Sequence, residues 1–310
     1  MSQNWAIAVF LLYGVVGQHL GGVHEGIFNG FPPMDNLQRD PNQLCGLKVT
    51  EDHSNLYQYP WVISLFGRGN FMGGGSLISP GVVLTAAHLL VGLAEPDIVV
   101  RTGGWDITSR TQPFMSEQRQ VAKIVRHKDF SYRLGANNIA LLFLNTPFVL
   151  KDHLRTICLP SQERSFDQRR CWVAGWGKAG FQDISYSNIQ KKIDLPLVER
   201  AACQDQLRKT RLGAEYELPA SLICAGGEKD KDACLGDGGS ALFCPLEEDP
   251  NRFEQIGIVN FGIGCGQENV PSTYTNVEIF LDWIYQQLAR DSSSVPLAGH
   301  LPLSFKNTQM

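Results

Sequence analysis

Between residues 61 and 148 short apolar runs alternate with turn-forming residues, the runs falling at 61–66, 76–78, 82–85, 98–101, 121–125 and 139–144. The same style returns after residue 170, with runs at 171–176, 189–195, 241–244, 255–261 and 272–276. Many short runs punctuated by Gly and Pro predict antiparallel strands of a barrel. Their spacing alone is equally compatible with a sandwich. Near the end the period changes: Val277, Phe280, Leu281, Ile284 and Leu288 recur at helical spacing, and Thr275 with Glu278 has the form of a capping box. A closing helix is therefore expected.

The flanks do not share this pattern. Residues 5–17 form an apolar run too short to cross a bilayer, which takes about 20 residues. With small Val15 and Gly17 beside Gln18, the expectation is a secretory signal over residues 1–17, although no Lys or Arg precedes the run. The alternative is a buried N-terminal segment. Residues 18–44, rich in Gly, Pro and Asn, read as an irregular light segment. Residues 45–290 form the expected folded domain, and 291–310 carry no pattern and read as a disordered tail.

Composition narrows the function classes. Across 310 residues, 43% are hydrophobic and 19% charged, which suits a chain that buries a sizeable core. A net charge of -4 supplies no basic field for nucleic acid or an anionic membrane surface. No later stretch is long and apolar enough to serve as a membrane span. Eight cysteines, an even number, are spaced too irregularly for paired Cys-x-x-Cys zinc knuckles, so disulfides in an oxidising compartment account for them better. Spacing alone leaves the pairing open. No metal or organic cofactor is expected.

Chemistry enters through motifs that occur in a fixed order. Residues 85–88 read Thr-Ala-Ala-His, 137–142 read Asn-Asn-Ile-Ala-Leu-Leu, and 171–177 read Cys-Trp-Val-Ala-Gly-Trp-Gly. Residues 232–240 read Asp-Ala-Cys-Leu-Gly-Asp-Gly-Gly-Ser, and 262–266 read Gly-Ile-Gly-Cys-Gly, with Pro271 and Tyr274 after them. Together, over about residues 45–290, these resemble the chymotrypsin and trypsin-like serine proteases. That resemblance implies an all-β fold of two packed six-stranded antiparallel barrels with a C-terminal α-helix.

The resemblance also shows what is missing. The family's nucleophile loop reads Gly-Asp-Ser-Gly-Gly, and Gly238 occupies the serine position four residues after Cys234. Ser240 lies two residues beyond, about 7 Å along extended chain, whereas nucleophile and base must meet within about 3 Å. It reads instead as a small polar turn residue. In working members a histidine takes the serine proton while a buried carboxylate holds its tautomer. His88 remains here, but Asn138 stands in the carboxylate position. An amide there costs about 10⁴ in turnover, and loss of the nucleophile about 10⁶, or roughly 8 kcal/mol of barrier. The expectation is a degenerate triad of His88, Asn138 and Gly238 with no functional catalytic residue. His88 is then either a retained structural residue or a pH-sensitive partner contact.

Other positions implied by the family depart similarly. Asp232 matches the acidic base of a trypsin-like specificity pocket, but Asn260-Phe261-Gly262 replaces the usual Ser-Trp-Gly wall and Ser272 stands where a glycine is expected. The pocket reads as a relic, the alternative being capture of a partner's basic residue. Active members are cut before Ile-Val-Gly-Gly, and the new ammonium pairs with the aspartate matched by Asp237. Residues 47–52 instead read Leu-Lys-Val-Thr-Glu-Asp, so conventional activation is not expected. One family bridge is lost at Gly73 and Leu89 together. The remaining family bridges would pair Cys45 with Cys158, Cys171 with Cys244, Cys203 with Cys224, and Cys234 with Cys265.

The loop at 236–240 resembles that of the non-catalytic arthropod serine protease homologues, which act in prophenoloxidase-activating and similar cascades or in adhesion. Many of these carry a clip domain with six cysteines, and here no cysteine precedes Cys45. The resemblance implies a secreted, extracellular binding protein whose partners are proteases or zymogens of a cascade. Residual trypsin-like endopeptidase activity and a decoy or adhesion role are the rival expectations.

Overall fold

The computed structural model describes residues 45–50, 57–109, 111–112, 114–161, 166 and 169–291. The expected signal, the light segment up to residue 44, the acidic residues 51 and 52 and the tail from 292 lie outside them. Twelve strands are assigned among the described residues. In the first half they are β1 (Val62–Gly67), β2 (Asn70–Ser79), β3 (Val82–Thr85), β4 (Ile98–Thr102), β5 (Glu117–Arg126) and β6 (Ala140–Leu144). The second half has β7 (Arg170–Gly175), β8 (Lys191–Val198), β9 (Leu222–Gly226), β10 (Ala241–Pro245), β11 (Phe253–Phe261) and β12 (Pro271–Asn276). Each set of six closes on itself as an antiparallel barrel, in the orders β1-β2-β3-β6-β5-β4 and β10-β11-β12-β9-β8-β7. Closure leaves neither sheet an open edge, which is how short strands with limited burial avoid pairing with other chains.

Aromatic side chains fill the space where the barrels meet. Trp61 packs edge-on against Phe243 at 5.3 Å, and Tyr59 and Phe253 join the same cluster. Such rings bury about 150–250 Å² each and dominate the energetics of a core. A polar contact crosses the same boundary, where buried Ser76 donates to Gln255 Oε1 at 2.6 Å. Small residues from both barrels approach closely beside it: Gly74 N–H donates to the Gly238 carbonyl at 2.8 Å.

The eight cysteines pair as Cys45–Cys158, Cys171–Cys244, Cys203–Cys224 and Cys234–Cys265. The first closes a separation of 113 residues, for which the chain-entropy account gives about 4–5 kcal/mol. At the lost bridge, Leu89 occupies the gap. A Cβ added to Gly73 would lie 2.8 Å from Leu89 Cδ1, so an apolar contact takes the place of a covalent one.

Three details differ from the sequence expectation. The capping box does not form, because Thr275 belongs to β12 and its hydroxyl donates to the Asn138 carbonyl at 3.0 Å. The chain leaves β12 through a 3-10 turn, Glu278–Phe280, before the closing α-helix Leu281–Arg290. The predicted apolar face holds: Val277, Phe280, Leu281, Ile284 and Leu288 are all buried. Strand β9 and a helix preceding it, α1 (Arg200–Arg208), were not expected. Helix α1 is capped by Glu199, which accepts the Ala202 N–H; the closing helix is α2.

Candidate functional site

The site lies where loops of both barrels converge. His88 sits in a 3-10 turn, Ala87–Leu90, directly after β3, and buried Asn138 lies two residues before β6. Pairing of β3 with β6 places Thr85 opposite Ala140 and so brings the two side chains together. Asn138 Nδ2 lies 2.8 Å from His88 Nδ1, and Asn138 Oδ1 accepts the His88 backbone N–H at 2.9 Å. The second barrel contributes the loop before β10. A Cβ added to Gly238 would lie 3.1 Å from His88 Nε2, its nearest neighbour. The structure thus brings His88, Asn138 and Gly238 together, with no side-chain atom on the third. Burial is the main cause holding the His88 imidazole below the ordinary histidine pKa.

Ser240 points elsewhere. It is 1% exposed, and its Oγ would lie 2.0 Å from a Cβ on Gly74 and 3.0 Å from one on Gly175, so it is packed behind the loop. Its hydroxyl has no hydrogen-bond partner among the described residues.

Asp237 fixes the loop from within. It is fully buried, and Oδ1 accepts the Gly177 N–H at 2.8 Å while Oδ2 accepts the Cys234 N–H at 2.9 Å. Lys191 Nζ completes the set at 2.6 Å from Oδ2 and also donates to the Lys178 carbonyl at 2.6 Å. The ammonium neutralising this buried carboxylate comes from β8. The chain after Cys45 goes elsewhere: Gly46 N–H donates to the Thr156 carbonyl and Lys48 N–H to the Asn251 carbonyl.

Asp232 lies five residues earlier, also buried. Oδ2 accepts the Gly266 N–H at 3.2 Å and the Ser272 hydroxyl at 3.0 Å, while Oδ1 has no hydrogen-bond partner among the described residues. Burial raises its pKa from 3.8 to about 6. The Ser272 hydroxyl reaches across towards Gly262, where an added Cβ would lie 2.6 Å from it. Phe261 packs its ring edge over Gly135 instead, 2.8 Å from a Cβ placed there.

Sequence reasoning placed Asn260 only in the pocket wall and gave Lys191 no role, so it missed two partnerships. Asn260 accepts from Asn138 Nδ2 at 2.5 Å and donates to the Gly135 carbonyl at 2.7 Å, and Lys191 pairs with Asp237. Each partnership joins residues far apart in sequence, so no local pattern carries it. A separate groove of about 790 Å³, lined among others by Pro160, Leu197, Arg200 and Ile223, shares none of His88, Asn138, Gly238 or Asp232. No cluster of His, Cys, Asp or Glu suited to a metal ion occurs among the described residues.

Two closed barrels with a histidine turn from one facing a glycine-rich loop from the other define a trypsin-like scaffold. The Trypsin family matches residues 48–284, and the chain belongs to that family. It is 43% identical over 221 residues to "Phenoloxidase-activating factor 2" of Galleria mellonella, a match covering 71% of this chain and 72% of that protein. Identity to "Inactive CLIP domain-containing serine protease A3" of Aedes aegypti is 41% over 233 residues, 73% of this chain but 48% of that protein. "Inactive CLIP domain-containing serine protease A28" of Anopheles gambiae is 36% identical over 268 residues, covering 83% and 69%. Two of these relatives are named as inactive.

Proposed function

We infer that this chain is a secreted pseudoprotease that acts by binding other proteins, as a cofactor or regulator in an extracellular protease cascade. One observation carries the reading: the position facing His88 Nε2 is Gly238, which offers no oxygen to attack a carbonyl. Asn138 adds a second defect, since an amide carries no charge to stabilise an imidazolium. The relatives named as a phenoloxidase-activating factor and as inactive serine proteases give the cascade its character. In the specificity pocket, the Ser272 hydroxyl bonded to Asp232 supports a relic rather than a receptor for a basic side chain. The Lys191–Asp237 pair supports a loop that is ordered in the uncut chain, with no activating cleavage.

An apolar surface beside the site suits binding. Phe181, Ile184, Tyr186, Ile189 and Leu235 are each at least 40% exposed, and Tyr186 packs on Phe71 at 5.3 Å and against Gly236. Exposed apolar groups gathered in this way mark interaction surfaces. Affinity capture from body fluid with the tagged mature chain tests the reading. The expected outcome is enrichment of secreted proteases or zymogens. A capture that enriches neither would overturn it.

A further inference from the structure

The chain between β5 and β6 carries a small hairpin that is anchored only at its base. Ser131 and Ala136 form an antiparallel bridge, with the Ser131 N–H donating to the Ala136 carbonyl at 3.0 Å. Between them stand Tyr132, Arg133, Leu134 and Gly135. Gly135 is buried with a left-handed φ of 64°, and its carbonyl accepts from Asn260 at 2.7 Å. Asn137 adds to the anchorage, its backbone N–H donating to the Ser221 hydroxyl at 3.0 Å and its amide to the Asp129 carbonyl at 2.9 Å. The base of the hairpin is thus tied across to the second barrel.

The tip is held by nothing comparable. Tyr132 is 73% and Leu134 48% exposed, and Arg133 between them is exposed as well. Among the described residues none of the three makes a hydrogen bond or an ion pair. Other exposed basic residues are engaged or sit in bonded turns. Arg68 pairs with Asp97, and Arg170 with Asp194 and Glu228. Lys209 and Arg211 follow α1 in a turn where the Lys209 N–H donates to the Gln206 carbonyl at 3.2 Å and the Leu212 N–H to the Thr210 hydroxyl at 3.3 Å. A protease must draw several residues out of a loop before it can cut, so a tip without internal bonds opens at the least cost. Exposed loop tips are where folded chains are nicked.

We propose that the Arg133–Leu134 peptide bond is a cleavage site for a trypsin-like protease, and that the product persists as a two-chain molecule. A guanidinium suits a pocket with a buried carboxylate at its base, where charge-assisted hydrogen bonds are strong. Water adds across the amide: the C–N bond breaks, a C–O bond forms, Arg133 ends in a carboxylate and Leu134 begins with an ammonium group. Of the four disulfides only Cys45–Cys158 spans residue 133, so it alone joins the two pieces covalently. The anchors at Gly135 and Asn137 lie in the second piece and keep its new end at the site. Lys191 and Asp237 lie in that piece too, so their pair survives the cut. The proposal rests on the reading of the chain as a cascade protein, and makes it a substrate there as well as a binding partner.

Pancreatic trypsin, added in substoichiometric amount to the folded full chain, serves as the probe, with fragments assigned by mass spectrometry. Among bonds that follow a described Lys or Arg, the first cut is expected after Arg133. The cut protein is expected to remain one species on a gel until reduction separates its two pieces. Arg133→Gln should lose the cut and Arg133→Lys keep it; the side chain is exposed, so neither change touches the core. Body fluid should make the same cut, and fluid treated with a fluorophosphonate should not. A first cut after another described basic residue, a cut that persists in Arg133→Gln, fragments that part without reduction, or no such cut by body fluid would each overturn the proposal. Trypsin acts on the purified chain with no partner present, so a failed cut is distinguishable from a failed capture of cascade proteins.

Discussion

Asp232 and Asp237 are buried carboxylates of one loop, five residues apart, and they are treated in opposite ways. Asp237 has both oxygens satisfied, by two N–H groups and the Lys191 ammonium. Asp232 has one oxygen bonded to Gly266 and Ser272 and the other without a partner, and its pKa rises to about 6. The first carboxylate holds the loop in shape; the second keeps one oxygen without a hydrogen-bond partner among the described residues. Within a single loop, one buried carboxylate is fully compensated and the other only in part, as the proposed relic pocket requires.

Lys191→Met should break the contrast most severely. It leaves a buried carboxylate without its counter-ion, at a cost of about 3–5 kcal/mol. Chemical denaturation would read this as a lower midpoint with unchanged slope, and Asp237→Asn added to it should restore much of the loss. A Lys191→Met protein as stable as the parent would show that the pair does not hold the loop.

Asp232→Asn should act in the opposite direction. A folded-state pKa of about 6, above the ordinary 3.8, means that ionisation destabilises the fold as pH rises through that window. The variant should therefore gain up to about 3 kcal/mol over the parent at pH 8, and the gain should fade towards pH 4. Stability curves at the two pH values provide the check.

Ser272→Gly should have a smaller effect, about 1–2 kcal/mol, from removing the one side-chain donor to Asp232. Its sharper readout is ligand binding: benzamidine should bind the variant measurably and the parent not. Binding of equal strength to both would contradict the view that the serine obstructs the pocket. Gly238→Ser should change least. Even with the hydroxyl restored, Asn138 leaves the proton on Nε2, so hydrolysis of an arginyl ester should stay undetectable.

Most strands were readable because they are short apolar runs bounded by turn residues, a signal that each segment carries by itself, whereas their closure into two barrels came only from the family resemblance. Strand β9, Leu222–Gly226, was missed because its five residues read as a motif flanking a cysteine rather than as part of a repeating pattern. The capping box at Thr275 and Glu278 failed for a tertiary reason: pairing with β9 and β11 keeps Thr275 extended, and its hydroxyl is used by Asn138. The positions of His88, Asn138, Gly238 and Asp232 could be read from motif order. Their partners could not, because Lys191 is 46 residues from Asp237 and Asn260 is 122 from Asn138. Those contacts exist only once the barrels have closed.

The central claim is that no oxygen in this loop can attack a carbonyl. Treating the intact purified chain with a fluorophosphonate, followed by peptide mass spectrometry over residues 232–240, tests it most directly. The account predicts no adduct on this stretch. Stoichiometric labelling of Ser240, accompanied by turnover of an arginyl ester, would contradict it.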